Sequence, residues 1–146
     1  MAELVIPPRL LQEIHTHGER AYPEEGAGLL LGRVEGERKI TLEILGLRNE
    51  REGAARRNRY LLSPEDYMHG EDEAAARGLE VLGIFHSHPD HPNRPSEFDR
   101  EWAWPWFSYL ITSVHGGQAL ESRSWTLLED RSAFVEEALR VALPEE

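Results

Sequence analysis

Residues 79–99 read LEVLGIFHSHPDHPNRPSEFD. The run from Leu79 to Phe85 is apolar and follows the breaker Gly78, so it reads as a buried central strand that leads directly into His86-Ser87-His88-Pro89. In a strand, residues two apart point to the same face, and His86 and His88 therefore present two imidazoles to one point. Such a pair chelates a metal. A catalytic zinc takes three protein ligands and keeps a fourth position open, and the nearest acid on a defined element is Asp99. Pro89, Pro92 and Pro95 hold the intervening residues out of regular structure, and Ser96 then caps a short helix, SEFDREWA, stopped near Pro105. Ser96-x-x-Asp99 has a second reading, a capping-box variant that does no more than hold the helix start. On the residues alone both readings stand.

Outward from this stretch, Pro7 and Pro8 open a pattern with Leu10, Leu11 and Ile14 at helical spacing, which predicts a helix over 8–20. Gly28–Val34 and Ile40–Leu47 are strand-like runs joined by the turn Glu35-Gly36-Glu37, a hairpin. Residues 48–59 are charged and aperiodic, Tyr60–Leu62 resumes a short strand-like run, and Ser63-Pro64-Glu65-Asp66 starts a helix over 64–77 that ends at Gly78. Strands at 107–114 and around 121–128 and a helix at 131–141 complete the series. With no repeat, linker or low-complexity segment, residues 1–146 read as one α/β domain, sandwich-like, with a mixed sheet.

The chain has no cysteine, which removes disulfides, thiolate metal sites and a cysteine nucleophile, so a metal has only His, Asp and Glu to sit on. A formal net charge of -11 gives no footprint for nucleic acid or an anionic membrane, and no stretch approaches the length of a membrane span or a secretory leader. The expected setting is cytoplasmic. Lys39 is the only lysine. The absence of Gly-x-Ser-x-Gly, His-Glu-x-x-His and Pro-Cys-x-x-Cys leaves a serine hydrolase elbow, a thermolysin-like helix and a zinc nucleoside deaminase without support.

His86-Ser87-His88, seven residues, then Ser96-Glu97-Phe98-Asp99 resembles the motif of the JAMM (MPN-plus) metallopeptidases, His-Ser/Thr-His-x7-Ser-x-x-Asp preceded by an upstream Glu. Glu25-Gly26-Ala27-Gly28-Leu29-Leu30-Leu31-Gly32 is similar to the family's upstream signature, with Ala27 in place of a Cys that is not a ligand. Asn49, the Ser63-Pro64-Glu65 helix start and the strand YLITSV extend the likeness over roughly residues 20 to 115. The resemblance, closest to compact prokaryotic members, implies a cytidine-deaminase-like α/β fold and one zinc ion on His86, His88 and Asp99. It implies Glu25 as general base, with Glu24 the adjacent alternative, and Ser96 as hydrogen-bond donor to the developing oxyanion. It further implies hydrolysis of peptide or isopeptide bonds after the C-terminal glycine of a ubiquitin-like or sulfur-carrier protein with a Gly-Gly tail. Release of an amino acid such as cysteine from a sulfur carrier is the same chemistry. A non-catalytic MPN scaffold is the reading from another class, and such members typically lack the ligands. Oligomeric state is not legible.

Three further groups are weighed. His15 and His17 lie two apart on a helix and share no face, and with His69 and His115 they read as solvated; His91, in the proline loop, reads as exposed beside the site. Trp102, Trp104 and Trp106 read as core filling, with some of them open to lining a substrate groove. Arg48, Arg51, Arg56, Arg57 and Arg59 read as a solvated loop with no assigned role.

Overall fold

The computed structural model describes residues 2–47 and 64–143. The elements are β1 (Glu3–Ile6), α1 (Pro8–Ala21), β2 (Ala27–Glu35), β3 (Arg38–Leu47), α2 (Pro64–Ala76), β4 (Glu80–Pro89), α3 (Glu97–Trp102), β5 (Ser108–His115), β6 (Gln118–Leu127) and β7 (Phe134–Val141). The expected helices α1, α2 and α3 form, as does the β2–β3 hairpin, whose turn places Gly36 at φ 62. Tyr60–Leu62, Asn49 and the arginines of 48–59 lie outside the described residues. No helix among the described residues is long and apolar enough to cross a membrane.

The sheet is mixed, as the sequence implies, but it closes on itself in the order β1-β3-β2-β4-β5-β6-β7 instead of lying open as a sandwich layer. Two expectations are corrected here. Residues 3–6, to which the sequence reading assigns no element, form β1, which pairs in parallel with β3 on one side and β7 on the other. Residues 134–141, expected as part of a helix, form β7. The FVEEALRV segment contains good helix formers, but β1 and β6 each offer an unpaired edge that one strand satisfies on both sides. Burial of Glu137 follows from that choice. Its carboxylate accepts hydrogen bonds from Ser108 Oγ at 2.7 Å and Ser124 Oγ at 2.8 Å. Ser108 Oγ in turn accepts from the buried Lys39 ammonium at 3.0 Å. Burial lowers the Lys39 pKa and the Glu137 charge opposes that shift.

The pleat sorts the core into two faces. Leu30, Leu82, Phe85 and Leu110 pack against Leu10 and Ile14 of α1. Leu29, Leu31, Ile84 and Tyr109 belong to a second cluster that includes Ala74 of α2. Because neighbours in a strand alternate, Phe85 and Ser87 face α1, whereas Ile84, His86 and His88 face the other way. Gly18 allows α1 to come close: a Cβ there would stand 3.1 Å from Ser87 Cβ and 3.2 Å from Val114 Cγ2.

Candidate metal centre

The central strand β4 lies between β2, antiparallel with Ala27 opposite His86, and β5, parallel with Ser113 opposite His88. Continuing the β2–β4 register backwards sets Gly26 beside Ser87 and Glu25 beside His88. Hydrogen bonds hold that extension. Ser87 N–H donates to Gly26 C=O at 2.9 Å. Gly26 N–H donates to Ser87 Oγ at 2.8 Å, a side chain taking the place of a ladder carbonyl. The sequence reading assigned Ser87 no task beyond filling the motif; its pairing partner becomes visible only once the strands are in register.

Three of the five residues singled out from the sequence bring their polar ends together. His86 Nε2 and His88 Nε2 are 3.2 Å apart, His86 Nε2 lies 3.4 Å from Asp99 Oδ1, and His88 Nε2 lies 3.2 Å from Asp99 Oδ2. A tetrahedral ion with ligand bonds of about 2.0–2.1 Å has edges of about 3.3 Å between ligands, so the triangle has the size that such an ion requires. Glu25 is the fourth member of the cluster: a carboxylate oxygen is within 4.8 Å of both imidazoles. Glu25, His86 and His88 can therefore also be grouped as ligands. Asp99 stands as a donor at 3.4 and 3.2 Å from the two imidazoles, and Glu25 completes a group of four polar side chains around one point. All four side chains are buried.

The donors are held by their surroundings. His88 Nδ1 lies 2.8 Å from Pro92 C=O, which fits an Nδ1–H donor and leaves Nε2 with its lone pair toward Asp99. Asp99 Oδ2 also accepts from Ser96 N–H at 2.8 Å, while Asp99 N–H donates to Ser96 Oγ at 3.1 Å, a reciprocal capping box at the start of α3. The two readings of Ser96-x-x-Asp99 are thus compatible: the box forms, and its carboxylate still reaches both histidines. Ser96 is solvent-exposed at the cleft rim, and with its oxygen accepting from Asp99 it keeps its own proton to donate. Burial lowers the His86 pKa, the Asp99 carboxylate pulls it back, and His88 adds to the lowering. Burial opposes ionisation of Asp99, yet His86 and His88 together hold its carboxyl well below the usual range. A neutral His86 imidazole and an ionised Asp99 carboxylate are the protonation states that metal binding needs.

The proline loop is pinned on several sides. Asp90 accepts from Tyr22 O–H at 2.7 Å and from Gly116 N–H at 2.9 Å, Ser113 O–H donates to His91 C=O at 2.6 Å, Asn93 donates to Glu121 C=O at 2.9 Å, and Trp125 Nε1–H donates to Asn93 C=O at 3.0 Å. None of these partners carried a signal in the sequence, because each acts across a long chain separation. His91 is exposed and lines the cleft with Glu25, His88, Pro92, Arg94, Ser96 and Phe98. A second groove, between α1 and the end of β3, meets that cleft at Glu25 and is bordered by Thr16, His17, Arg20, Glu24 and Gly46.

Two sets of residues differ from expectation. His69 and His115 are exposed, but His15 and His17 are half-buried. His15 Nε2 is 2.9 Å from Ser122 Oγ, and the His17 ring meets Phe85 edge-on at 5.4 Å with an Nδ1 that has no hydrogen-bond partner among the described residues. They are not solvated because α1 lies on the sheet along the side that carries them. Trp102, Trp104 and Trp106 are exposed and do not fill the core. Trp102 ends α3 and Phe107 N–H donates to Trp104 C=O across the turn that follows, a path that buries Ala103 and Phe107 and leaves the tryptophans outward.

Residues 7–128 match the family model described as prokaryotic homologs of the JAB domain. The chain is 34% identical over 117 residues to a protein of Thermus thermophilus named probable TtuB-protein conjugate cleaving protease, covering 80% of this chain and 74% of that one. It is 36% identical over 77 residues to a desampylase of Haloferax volcanii, covering 52% of this chain and 54% of the relative. A crystal structure of a JAB1/MPN domain protein from Archaeoglobus fulgidus superposes with a TM-score of 0.53 at 18% identity, covering 95% of this chain and 96% of that one, a likeness of fold.

Proposed function

The chain belongs to the family of prokaryotic homologs of the JAB domain, and from that membership we propose that it is a zinc-dependent hydrolase of the JAMM type. It cleaves the peptide or isopeptide bond after the C-terminal glycine of a ubiquitin-like or sulfur-carrier protein. The observation that carries this reading is the buried triangle of His86, His88 and Asp99, sized for a tetrahedral ion, with Glu25 alongside it. The names of the Thermus and Haloferax relatives point to protein conjugates as the substrate class.

In this reading His86, His88 and Asp99 would hold the ion, which would supply Lewis-acid charge for the scissile carbonyl and the attacking water. Glu25 accepts the proton of the attacking water and returns it to the leaving amine. Ser96 donates its hydroxyl hydrogen to the carbonyl oxygen as negative charge develops there. The cleft between Glu25 and Phe98 offers an extended tail a path to the scissile position, and glycines pass it most readily because they carry no side chain. A scaffold would have no need for two imidazoles and two carboxylates buried at ligand distance.

The test is incubation of the zinc-loaded chain with a carrier ending in Gly-Gly and linked to a lysine side chain or a free amino acid. A carrier whose penultimate glycine is alanine runs beside it. Cleavage of the first and strong loss with the second is expected; equal rates would reduce the chain to a general metallopeptidase.

A further inference from the structure

The tryptophans outside the core form the largest aromatic feature that the proposed chemistry leaves unused. Trp102, Trp104 and Trp106 are 61%, 52% and 50% exposed. Phe98 links them to the site: it lines the cleft and stacks on Trp102 at 6.1 Å, one helical turn further along α3. Trp104 then meets Tyr67 of α2 at 5.3 Å and Phe107 at 5.6 Å, and Trp106 meets Phe107 at 5.8 Å. The direction follows from the register of β4 and β5. Ser108, just past Trp106, lies opposite Gly83, three residues before His86 and five before His88 along β4, about 10 and 17 Å from them at strand rise. Exposed aromatics therefore follow the chain from the cleft rim at Phe98 and Trp102 to a second group at Trp104 and Trp106 on the flank of the barrel, a ridge in two parts.

The ridge is rigid. Arg131 donates to the carbonyls of Arg100, Glu101 and Ala103, at 3.3, 3.2 and 2.7 Å, and so clamps the end of α3, while Trp104 N–H donates to Tyr109 Oη at 2.8 Å. Exposed tryptophans held in place lose little entropy on contact, which is why such residues dominate binding hot spots.

We infer that this ridge, with Trp102 nearest the cleft, docks the folded body of the ubiquitin-like carrier whose tail enters the site, an inference that rests on the hydrolase reading above. Three observations choose this occupant. The ridge is continuous with the cleft through Phe98, so a protein with its tail at Glu25 is already beside it. It joins exposed aromatic side chains of α3 to those of the segment leading into β5, an apolar strip beside the cleft. The exposed area of the three indoles is on the order of 350 Å², well short of the ~800 Å² per partner of a stable interface, which fits a substrate that must leave after each turnover better than a permanent second copy. Among conjugates of varied targets, the carrier is also the constant part to recognise.

Steady-state kinetics on the full zinc-loaded chain test this with two substrates: intact TtuB, the carrier that the Thermus relative's name specifies, with a fluorogenic amine on its C-terminal carboxyl, and a peptide of only its last six or so residues with the same amine. The variants are Trp102→Ala, Trp104→Ala and the conservative Trp102→Phe, with Val141→Ala, an exposed apolar side chain on β7 across the barrel, as control. For a hot-spot residue, KM for intact TtuB rises about tenfold in Trp102→Ala and recovers largely in Trp102→Phe, while kcat, and both constants for the peptide, stay within about twofold. Equal effects on both substrates, or none, would overturn the inference, as would concentration-dependent self-association that the tryptophan variants abolish. If wild type cleaves neither substrate, the hydrolase reading fails. Calorimetric titration with free TtuB then decides the ridge separately: weaker binding in Trp102→Ala upholds it, and unchanged or absent binding removes it.

Discussion

Gly26 and Ser87 exchange two hydrogen bonds, Ser87 N–H to Gly26 C=O at 2.9 Å and Gly26 N–H to Ser87 Oγ at 2.8 Å, and so tie the residue after Glu25 to the residue between the two histidines. The face of β4 that carries His86 and His88 and the face that packs on α1 are opposite, so Ser87 fixes where Glu25 stands without approaching the imidazole nitrogens. Ser87→Ala is expected to keep a full equivalent of zinc while kcat falls about tenfold or more, as a base displaced by a fraction of an ångström loses alignment. Leaving the Gly26 N–H without an acceptor also costs about 1–3 kcal/mol of stability. Elemental analysis, kcat and a urea melt on one preparation check this; loss of metal together with activity would place Ser87 in the metal site itself.

Asp99→Ala is expected to abolish stoichiometric zinc, because two imidazoles alone leave the ion under-coordinated and without a compensating charge. The same change removes half of the α3 capping box, costing on the order of 1 kcal/mol. A full equivalent of zinc retained by the mutant would make Glu25 the third ligand.

Glu25→Gln is expected to retain zinc and fold and to lose roughly 10²- to 10⁴-fold in turnover, since the amide cannot accept the water's proton. Glu24, half-buried beside it, lies outside the hydrogen-bonded extension of β2, and Glu24→Gln should be nearly silent. Reversed behaviour of the pair would shift the base by one residue.

The metal-free protein should lose stability on mild acidification. Burial is the leading cause of lowered pKa values at His15, His17 and His86, each below the ordinary 6.5. The unfolded chain then binds more protons than the folded one as pH drops below about 6.5, so folding stability is full above that value and declines through the folded-state pKa values. Asp99, also lowered, contributes no slope there because its unfolded carboxyl titrates near about 4. Thermal melts of the metal-free chain between pH 7.5 and 5 should show a falling Tm, and a flat profile would contradict the burial of these imidazoles.

Much of the candidate site was legible from local rules. Period-two alternation put His86 and His88 on one face, the proline loop and cap set Asp99 at a helix start, and the turn signals marked the β2–β3 hairpin. Such features depend on neighbours along the chain. What depends on distant partners was not legible: the half-burial of His15 and His17 is imposed by α1 lying on the sheet, and the outward tryptophans follow from Ala103 and Phe107 claiming the inward positions.

By itself the sequence determined the order of most elements, the types of ligand available and their spacing along β4 and α3, because strand alternation, capping and proline restriction are local constraints on the backbone. Only the tertiary structure decided that 134–141 is a strand, since two free edges outweigh the helix propensity of Glu136–Arg140 (EEALR) once β1 and β6 face the same gap. It also decided that Glu25, some 60 residues from His86 in the chain, stands beside it. That placement is a matter of register between β2 and β4, and register is set by which faces bury apolar surface and by the bonds between Gly26 and Ser87, not by anything within either segment alone.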